Sequence, residues 1–256
     1  MIIGIIPARY ASTRFPGKPL ALIHNKPMIQ HVYERCKEAD LDDVFVATDD
    51  DRIRSCVENF GGKVVMTHSQ HLSGTDRCAE AARILKLNDK DFVINIQGDE
   101  PFIRKDEIHL LTSLLNHRNT QIVTLVKPIT TNRDESSNFN QVKVVFTRSK
   151  KALYFSRSPI PCCFFPNLQT PRHELQSAHP SLCSTHLSYK HIGIYGYCNK
   201  ILQQITKLPE SGLEKIEKLE QLRWLENDFT IHVQICYHES IAVDTPEDLK
   251  QLNHKQ

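Results

Sequence analysis

The alternation of strand-like and helix-like segments in the first half of the chain constrains its fold most strongly. Short runs rich in Ile, Val and Phe, typical of buried strands, are each followed by an amphipathic segment. Five such strands are predicted, at 2–6, 44–48, 63–67, 92–96 and 122–126. Since a helix between two strands returns the chain for parallel pairing, this order predicts a doubly wound α/β sheet.

The helices are predicted from apolar spacing and from capping residues. Pro27 suits a first helical turn, and Thr245 followed by Pro246 predicts the start of a terminal helix. The other predicted helices are 27–37, 51–59, 78–87, 105–117 and 213–227. After about residue 128 the alternation stops, and strands are predicted at 142–146, 152–155, 190–197 and 231–235, the first two antiparallel.

Composition excludes several classes of protein. A net charge of only +2 gives no general footprint for nucleic acid, so any anion site must be local. Eight cysteines without a C-x-x-C pair fit a reducing compartment better than a disulfide framework. The sequence shows no signal-peptide pattern and no apolar run of the ~20 residues that a membrane span requires, so we expect a soluble cytoplasmic protein.

A cationic loop follows the first strand. Arg9, Arg14 and Lys18 lie among small and turn-forming residues, at the strand end where open α/β sheets hold ligands. Three cations with free backbone N–H groups would suit a polyphosphate. The spacing is neither a Walker A loop nor a G-x-G-x-x-G motif. The alternative interpretation is an ordinary basic surface loop.

Acidic residues follow two other predicted strands. Asp99 comes after a central strand with Gln97 and Gly98, and Asp244 precedes the terminal helix. Acids at strand ends commonly hold Mg²⁺ against phosphates, although a solvated turn would explain one of them. Cations and paired carboxylates together predict a nucleoside-triphosphate-dependent transferase.

Three further patterns leave alternatives open. Ser73 or Thr75 predicts a helix cap, whereas Arg77 in the same turn indicates an anion-binding or base-binding edge. The acids 49–51 suit helix capping or a metal. Strand alternation places His191 and Tyr195 on one face, either in a pocket or in the core.

Nine motifs resemble those of the sugar-acid cytidylyltransferases, and within that family those of the enzymes for 3-deoxy-D-manno-octulosonate (Kdo). They occur in family order over nearly the whole chain. The motifs are 6–18, 26–29, 46–50, 71–77, 95–101, 153–161, 191–197, 219–223 and 243–249.

This resemblance implies a three-layer αβα, nucleotide-diphospho-sugar-transferase-like (Rossmann-like) mixed sheet with a smaller dimerisation lobe. Residues 1–127 and 228–256 would form mainly the nucleotide-binding core, and 128–227 mainly the sugar-binding and dimerisation lobe. The implied reaction converts CTP and Kdo to CMP-Kdo and pyrophosphate with Mg²⁺, for lipopolysaccharide biosynthesis. A homodimer is also implied.

The resemblance further implies roles for individual residues. The nucleotide would be bound by Ala8, Arg9, Ser12, Lys18, Ser73, Thr75, Arg77 and Gln97, with Lys18 on the leaving pyrophosphate. Catalysis would rest on Lys18, Arg9 and Asp99, and Mg²⁺ would be held by Asp99 and Asp244. Arg157 would pair with the Kdo carboxylate, and sugar hydroxyls would contact His191, Tyr195, Glu217, Glu220 and Gln221. No side-chain general base is identified, since a metal ion could acidify the attacking hydroxyl.

Some residues depart from the family pattern. Asn25 stands where the family usually has Gly, and Cys162 replaces a common aromatic. The segment 162–188 matches poorly, so no role is transferred to it. Two alternatives stay open: an enzyme for another sugar acid, such as a sialic acid, and a non-catalytic CTP-binding subunit that kept the fold.

Overall fold

The computed structural model describes residues 1–11, 15–115, 120–129, 138–162, 188–238, 243 and 245–254. Within these ranges, no helix is long and apolar enough to cross a membrane. Two compact units are resolved, and each is described by itself. The first comprises 1–123, 193–208 and 238–256, and the second comprises 124–192 and 209–237.

The described strands include all nine that the sequence predicts and a short extra hairpin. Their bounds are β1 Ile2–Ala8, β2 Leu22–Ile23, β3 Lys26–Pro27, β4 Asp43–Thr48, β5 Val64–Met66, β6 Phe92–Asn95, β7 Ile122–Pro128, β8 Lys143–Phe146, β9 Ala152–Ser156, β10 Tyr189–Cys198 and β11 Ile231–Ile235.

The described helices largely follow the predicted ones. Their bounds are α1 Met28–Lys37, α2 Asp51–Asn59, α3 Gly74–Ile84, α4 Lys105–Leu115, α5 Asn199–Ile205, α6 Gly212–Glu217, α7 Gln221–Glu226 and α8 Pro246–His254, with a 3-10 helix at Lys18–Leu20.

The sheet of the first unit has the strand order β10-β6-β1-β4-β5. β1 pairs in parallel with both β4 and β6, whereas β10 pairs antiparallel with β6. Ile3, Ile5 and Ile6 of β1 are buried, as the Ile-rich run predicts for a central strand. The prediction of a mixed α/β sheet is therefore confirmed.

Helices cover this sheet in two groups, α1 with α4 and α3 with α5. The crossover through α1 leads from β1 outward to β4, and the crossover through α3 leads from β5 back to β6. Parallel crossovers are right-handed, and these two run in opposite directions along the sheet. The helices α1 and α3 therefore lie on opposite faces. The carboxyl ends of β1 and β6, followed by residues 9 and 97–99, therefore meet at one edge.

The second unit contains β8, β9, β11 and parts of β7 and β10. β8 pairs antiparallel with β9 and with the first residues of β10, and β7 lies beside β11. Phe155 and Trp224 are buried in this unit. The predicted antiparallel pair at 142–146 and 152–155 is confirmed.

Two helix predictions need correction. α3 begins at Gly74, four residues before the predicted start, because the Ser73 side chain caps it by accepting from the backbone N–H of Asp76 at 3.1 Å. The predicted helix 213–227 is two helices, α6 and α7, since Lys218 adopts a left-handed conformation with φ 55°.

The unit boundaries differ from the predicted division in three stretches. Residues 124–127, predicted in the core, belong to the second unit. Residues 193–208 belong to the first unit because the end of β10 pairs with β6. Residues 228–237 belong to the second unit, where the Val233 N–H donates to the Lys150 carbonyl and the Cys236 N–H donates to that of Val126.

Candidate active site

A cavity of about 220 Å³ opens at the carboxyl ends of β1 and β6 in the first unit. Its walls come from four short segments that are distant in sequence. Its lining residues are Pro7, Ala8, Arg9, Lys18, Pro19, His71, Leu72, Ser73, Gly74, Arg77, Gln97, Gly98 and Asp99. The topology thus brings the cationic loop and the acid after β6 into one pocket.

Lys18 and Asp99 form an ion pair inside this cavity. The Lys18 Nζ donates to Asp99 Oδ2 at 2.7 Å. The Lys18 side chain is 10% exposed, whereas the Asp99 side chain is 37% exposed. One partner is thus set in the protein wall, and the other has an exposed carboxylate that an incoming ligand can reach.

The backbone before Lys18 explains how this side chain is placed. Gly17 has φ 71°, a conformation that favours glycine, and caps the 3-10 helix that begins at Lys18. The Gly17 N–H donates to the Tyr10 carbonyl at 2.9 Å, and the Arg52 guanidinium lies 3.3 Å from the Tyr10 ring centroid. These contacts anchor both ends of the loop that joins Arg9 to Lys18.

Arg77 supplies a second buried cation to the cavity wall. Its Nη2 lies 3.1 Å from Asp49 Oδ1, and its Nη1 donates to Thr67 Oγ1 at 2.7 Å. Burial lowers the pKa of Arg77, and the nearby Asp49 carboxylate opposes that change. Because the ion pair holds the guanidinium, the Arg77 side chain can present a fixed hydrogen-bonding edge.

The loop before α3 is attached to that helix by Glu80. The Glu80 carboxylate accepts from the His68 N–H at 2.7 Å and contacts His71 Nε2. Burial raises the pKa of Glu80, but the hydrogen bonds from His71 and His68 outweigh it and the pKa is lowered. The carboxylate therefore fixes the loop that carries Leu72 and Ser73 to the cavity rim.

Gly98 allows two strand ends to approach each other closely. A Cβ at this position would lie 3.1 Å from the Pro7 carbonyl oxygen, a tight contact with fixed backbone. A side chain here would therefore push Gln97 and Asp99 away from the end of β1.

A second polar cluster surrounds Arg157 in the second unit. The Arg157 Nε donates to the Glu217 carbonyl at 2.8 Å and Nη1 to the Phe139 carbonyl at 3.1 Å, while Nη2 lies 3.5 Å from the Lys218 carbonyl. Among the described residues, no carboxylate lies within ion-pair distance of this guanidinium. Backbone oxygens thus orient a cation that forms no direct ion pair with a described carboxylate.

These contacts explain the break between α6 and α7. In a continuous helix, the Glu217 and Lys218 carbonyls would accept from N–H groups four residues later. Here both carbonyls face Arg157 instead. The tertiary contact therefore competes with the helical hydrogen bonds.

The Glu217 carboxylate braces the end of β9. It accepts from Ser156 Oγ at 2.6 Å and from the Arg157 N–H at 2.9 Å, with Tyr154 Oη at 3.4 Å. Burial raises the pKa of Glu217, but these hydrogen bonds outweigh it and the pKa is lowered. Glu217 is therefore an ionised acceptor held within the protein.

His191 and Tyr195 lie in β10 but belong to different units. In the second unit, His191 Nε2 lies 2.9 Å from Thr124 Oγ1, and its ring packs edge-on against Phe155. Burial lowers the pKa of His191 to about 3, so the ring is neutral at physiological pH. In the first unit, the buried Tyr195 ring stacks on Tyr197 at 5.8 Å.

Glu220 and Gln221 lie where α7 begins. The Glu220 carboxylate accepts from Arg223 Nη2 at 3.2 Å, and Arg223 Nε lies 3.0 Å from Glu214 Oε2. Gln221 is buried.

The structure brings most of the predicted nucleotide site together. Seven predicted residues line the cavity, namely Ala8, Arg9, Lys18, Ser73, Arg77, Gln97 and Asp99. Thr75 is buried in the first turn of α3, and the predictions for Ser12 and Asp244 lie outside the described residues. Sequence reasoning missed the support given by Asp49 and Glu80, although Asp49 lies within a recognised motif and Glu80 follows Arg77 by three helical positions.

Comparison with known proteins identifies the family to which this chain belongs. A cytidylyltransferase family model matches residues 3–235. The 3-deoxy-manno-octulosonate cytidylyltransferase of Parabacteroides distasonis is 51% identical over 97% of this chain and 95% of its own length. The 8-amino-3,8-dideoxy-manno-octulosonate cytidylyltransferase of Shewanella baltica is 46% identical over 98% and 96%.

A solved structure gives the same result. It is described as CMP:2-keto-3-deoxy-manno-octonic acid synthetase complexed with CTP, is 40% identical, and superposes with a TM-score of 0.85. The match covers 98% of this chain and 96% of that one, which confirms the predicted fold. On the sequence match and the shared fold together, the chain belongs to the cytidylyltransferase family.

Proposed function

We propose that this enzyme transfers the CMP group of CTP to Kdo and releases pyrophosphate. The observation that carries the proposal is one cavity lined by the cations of Arg9, Lys18 and Arg77 and by the Asp99 carboxylate, in a chain of the cytidylyltransferase family. Relatives named for Kdo and about half identical over nearly full length support the sugar. The product would serve lipopolysaccharide biosynthesis in the cytoplasm.

In the first unit, the cavity cations would bind the triphosphate. Lys18, Arg9 and Ser12 would contact the phosphates, and Lys18 would stabilise the charge that develops on pyrophosphate as it leaves. Ala8, Ser73, Thr75, Arg77 and Gln97 would enclose the cytosine and ribose. The Arg77–Asp49 pair supports this role, because it keeps a buried guanidinium at the cavity wall.

Asp99 and Asp244 would hold Mg²⁺. Mg²⁺ is commonly bound by one or two carboxylates together with substrate phosphates. The partly exposed carboxylate of Asp99 in the cavity fits that requirement. The Val243 N–H donates to the Asp99 carbonyl at 3.1 Å, which supports pairing Asp99 with the neighbouring Asp244. When bound, the ion would offset phosphate charge and make the attacking hydroxyl more acidic.

In the second unit, Arg157 would bind the Kdo carboxylate. A guanidinium that backbone carbonyls already orient suits bidentate recognition of a carboxylate. Contacts of sugar hydroxyls with His191, Tyr195, Glu217, Glu220 and Gln221 stay predictions. For Glu217 the bracing of Ser156 and Arg157 supports an indirect role.

The reaction would be an in-line displacement at the α-phosphorus of CTP. The anomeric 2-hydroxyl oxygen of Kdo forms the new P–O bond and loses its proton, while the bond to the bridging oxygen of pyrophosphate breaks. No described side chain is assigned as the general base. Residues that orient the reactants and complement the phosphate charge would supply most of the catalysis.

The experiment measures pyrophosphate release from CTP with Mg²⁺ and one of three sugar acids: Kdo, 8-amino-3,8-dideoxy-manno-octulosonate and a sialic acid. We expect kcat/KM to be highest for Kdo. Preference for the 8-amino sugar would redirect the proposal to the activity named for the Shewanella baltica relative. If none of the three sugar acids increased pyrophosphate release above background, the proposed function would be contradicted.

We also propose that the enzyme is a homodimer through the second unit. Leu153, Ile216 and Tyr237 of this unit are large apolar residues with more than half of their surface exposed, and exposed apolar surface often marks an interface. Light scattering coupled to gel filtration should give twice the chain mass of 29.4 kDa. A single-chain mass at micromolar concentration would contradict the dimer.

A further inference from the structure

Lys143 is a fully buried lysine in the second unit that has no part in the reaction proposed above. It lies in β8, opposite Ser156 of β9, and its relative exposure is 0%. Lysine is almost never fully buried unless its charge is compensated. A lysine at such a position therefore calls for a physical explanation.

Three backbone carbonyls surround its ammonium group. Nζ donates to the Asn138 carbonyl at 2.9 Å, to the Gln141 carbonyl at 2.7 Å, and to the Arg157 carbonyl. An ammonium group has three N–H donors, so these contacts use all of them. No carboxylate of the described residues pairs with Lys143, and its partners are fixed points of the backbone.

The three carbonyls belong to the two segments that hold Arg157. One is the carbonyl of Arg157 itself, and the other two lie in the segment 138–141, whose Phe139 carbonyl accepts from Arg157 Nη1 at 3.1 Å. Lys143 thus ties the Arg157 backbone to the segment that receives the Arg157 guanidinium. On the other side, Glu217 holds the Arg157 N–H through its carboxylate and Nε through its carbonyl.

We propose that Lys143 is a positioning residue that fixes the Arg157 guanidinium in the orientation required to bind the sugar-acid carboxylate. This inference rests on the proposed function, because it requires Arg157 to bind that carboxylate. Without the ammonium, three backbone carbonyls would lose their donor, and segment 138–141 would lose its link to the Arg157 backbone. The guanidinium would stay in the protein but would lose its fixed direction.

The test compares Lys143→Met with Lys151→Met, which removes an exposed lysine of the same unit. For Lys143→Met we expect KM for Kdo to rise roughly tenfold or more, since small displacements of a binding group have effects of that size. KM for CTP, which the first unit would bind, should change less than twofold. Lys151→Met should keep both values.

A double variant separates positioning from a general structural role. If Lys143 acts through Arg157, adding Lys143→Met to Arg157→Met should raise KM for Kdo by less than twofold beyond the single Arg157→Met variant. A purely structural lysine would instead lower the active fraction, and therefore kcat, at unchanged KM for Kdo. If the double variant raised KM for Kdo by the product of the two single effects, the two residues would act independently and the proposal would be overturned.

Folding is monitored through Trp224, the single tryptophan of the chain, which is buried in the second unit. If Lys143→Met does not fold, Lys143→Gln replaces it, because the amide retains N–H donors for the carbonyls; we expect a smaller rise in KM for Kdo. If the wild type is active and the folded Lys143 variant has an unchanged KM for Kdo, the inference about Lys143 is overturned and the proposed function is not. Inactive wild type would overturn the proposed function as well.

Discussion

The two polar sites hold their cations in different ways. In the first unit, side chains pair with side chains: Lys18 with Asp99 and Arg77 with Asp49. In the second unit, the cations of Arg157 and Lys143 are held by backbone carbonyls. A side-chain pair can exchange partners when a ligand arrives, whereas a carbonyl cradle cannot move without moving the chain.

This contrast suggests different contributions to function. The pairs of the first unit are suited to a triphosphate and a metal ion, which bring charges of both signs and can replace each partner. The cradle of the second unit is suited to one carboxylate bound in one orientation. Substitutions in the first site should therefore reduce rate at little cost in stability, and substitutions in the second should affect binding or stability.

The largest expected effect is that of Lys18→Met. Loss of a cation that stabilises the leaving pyrophosphate should lower kcat by about 10²–10³-fold. The free energy of unfolding should change little, because the Asp99 carboxylate left behind is partly exposed. Steady-state kinetics and urea unfolding followed through Trp224 fluorescence measure both quantities.

The matched control is Lys26→Met, which removes a surface ion pair with Glu34 at 2.6 Å. Such pairs contribute little, so its kcat should equal that of the wild type. Normal turnover of Lys18→Met would return the loop 9–18 to an ordinary basic surface loop.

Arg157→Met should give the next largest effect. Loss of a charge-assisted hydrogen bond to the sugar carboxylate should raise KM for Kdo by about 10–100-fold, while KM for CTP stays constant. Arg148→Met, in an exposed turn of the same unit, is the control. An equal rise of both KM values in Arg157→Met would remove the distinction between the two sites.

The buried His191 should make the free energy of unfolding depend on pH. Burial lowers its pKa from 6.5 to about 3, so between these values the unfolded chain binds a proton that the folded protein does not. The stability contributed by neutral His191 is therefore present above pH 6.5 and is lost as the pH falls toward 3, by ~2 kcal/mol between pH 7 and pH 5.

His191→Phe should reduce this acid sensitivity by that amount, and Thr124 Oγ1 would keep its bond to the Ile192 carbonyl. Urea unfolding at pH 7 and pH 5 measures the difference. His109→Phe, at an exposed position, serves as the control. If His191→Phe and the wild type lost the same stability between the two pH values, His191 could not be neutral in the folded protein at pH 5.

Glu217→Gln should have the smallest effect, about 1 kcal/mol of unfolding free energy at pH 7, because the amide accepts fewer of the hydrogen bonds from Ser156 and Arg157. The pKa of Glu217 is lowered from 4.5, so this stabilisation is complete above pH 4.5 and is lost as the pH falls through the folded value. The variant and the wild type should therefore converge in acid. A difference that is independent of pH would show that the carboxylate charge has no part in the brace.

The sequence was most informative about the first unit. Apolar periodicity predicted its strands, and strand ends are where the topology gathers ligands. The ion pair between Lys18 and Asp99 joins positions 81 apart, so residue spacing alone could not identify it. The family motifs singled out both residues, and the parallel pairing of β1 with β6 brings their strand ends together.

Prediction was weaker for the second unit because tertiary contacts override local patterns there. The apolar spacing of 213–227 predicts one helix. In the structure, two carbonyls of this stretch contact the Arg157 guanidinium instead of helical N–H groups, so the helix is interrupted. Lys143 stands among valines in a strand, where its charge would predict an exposed side chain. Two of the carbonyls that bind its ammonium lie within five positions of it, but the third is that of Arg157, 14 positions away, which no local pattern encodes.

The transfer of CMP to Kdo is tested most directly by a ³¹P NMR spectrum of CTP, Kdo and Mg²⁺ incubated with the enzyme. We expect CTP to be consumed with formation of one equivalent each of pyrophosphate and a CMP phosphodiester, and only when Kdo is present. CTP that stays intact, or that is hydrolysed to CMP without a sugar ester, would contradict it.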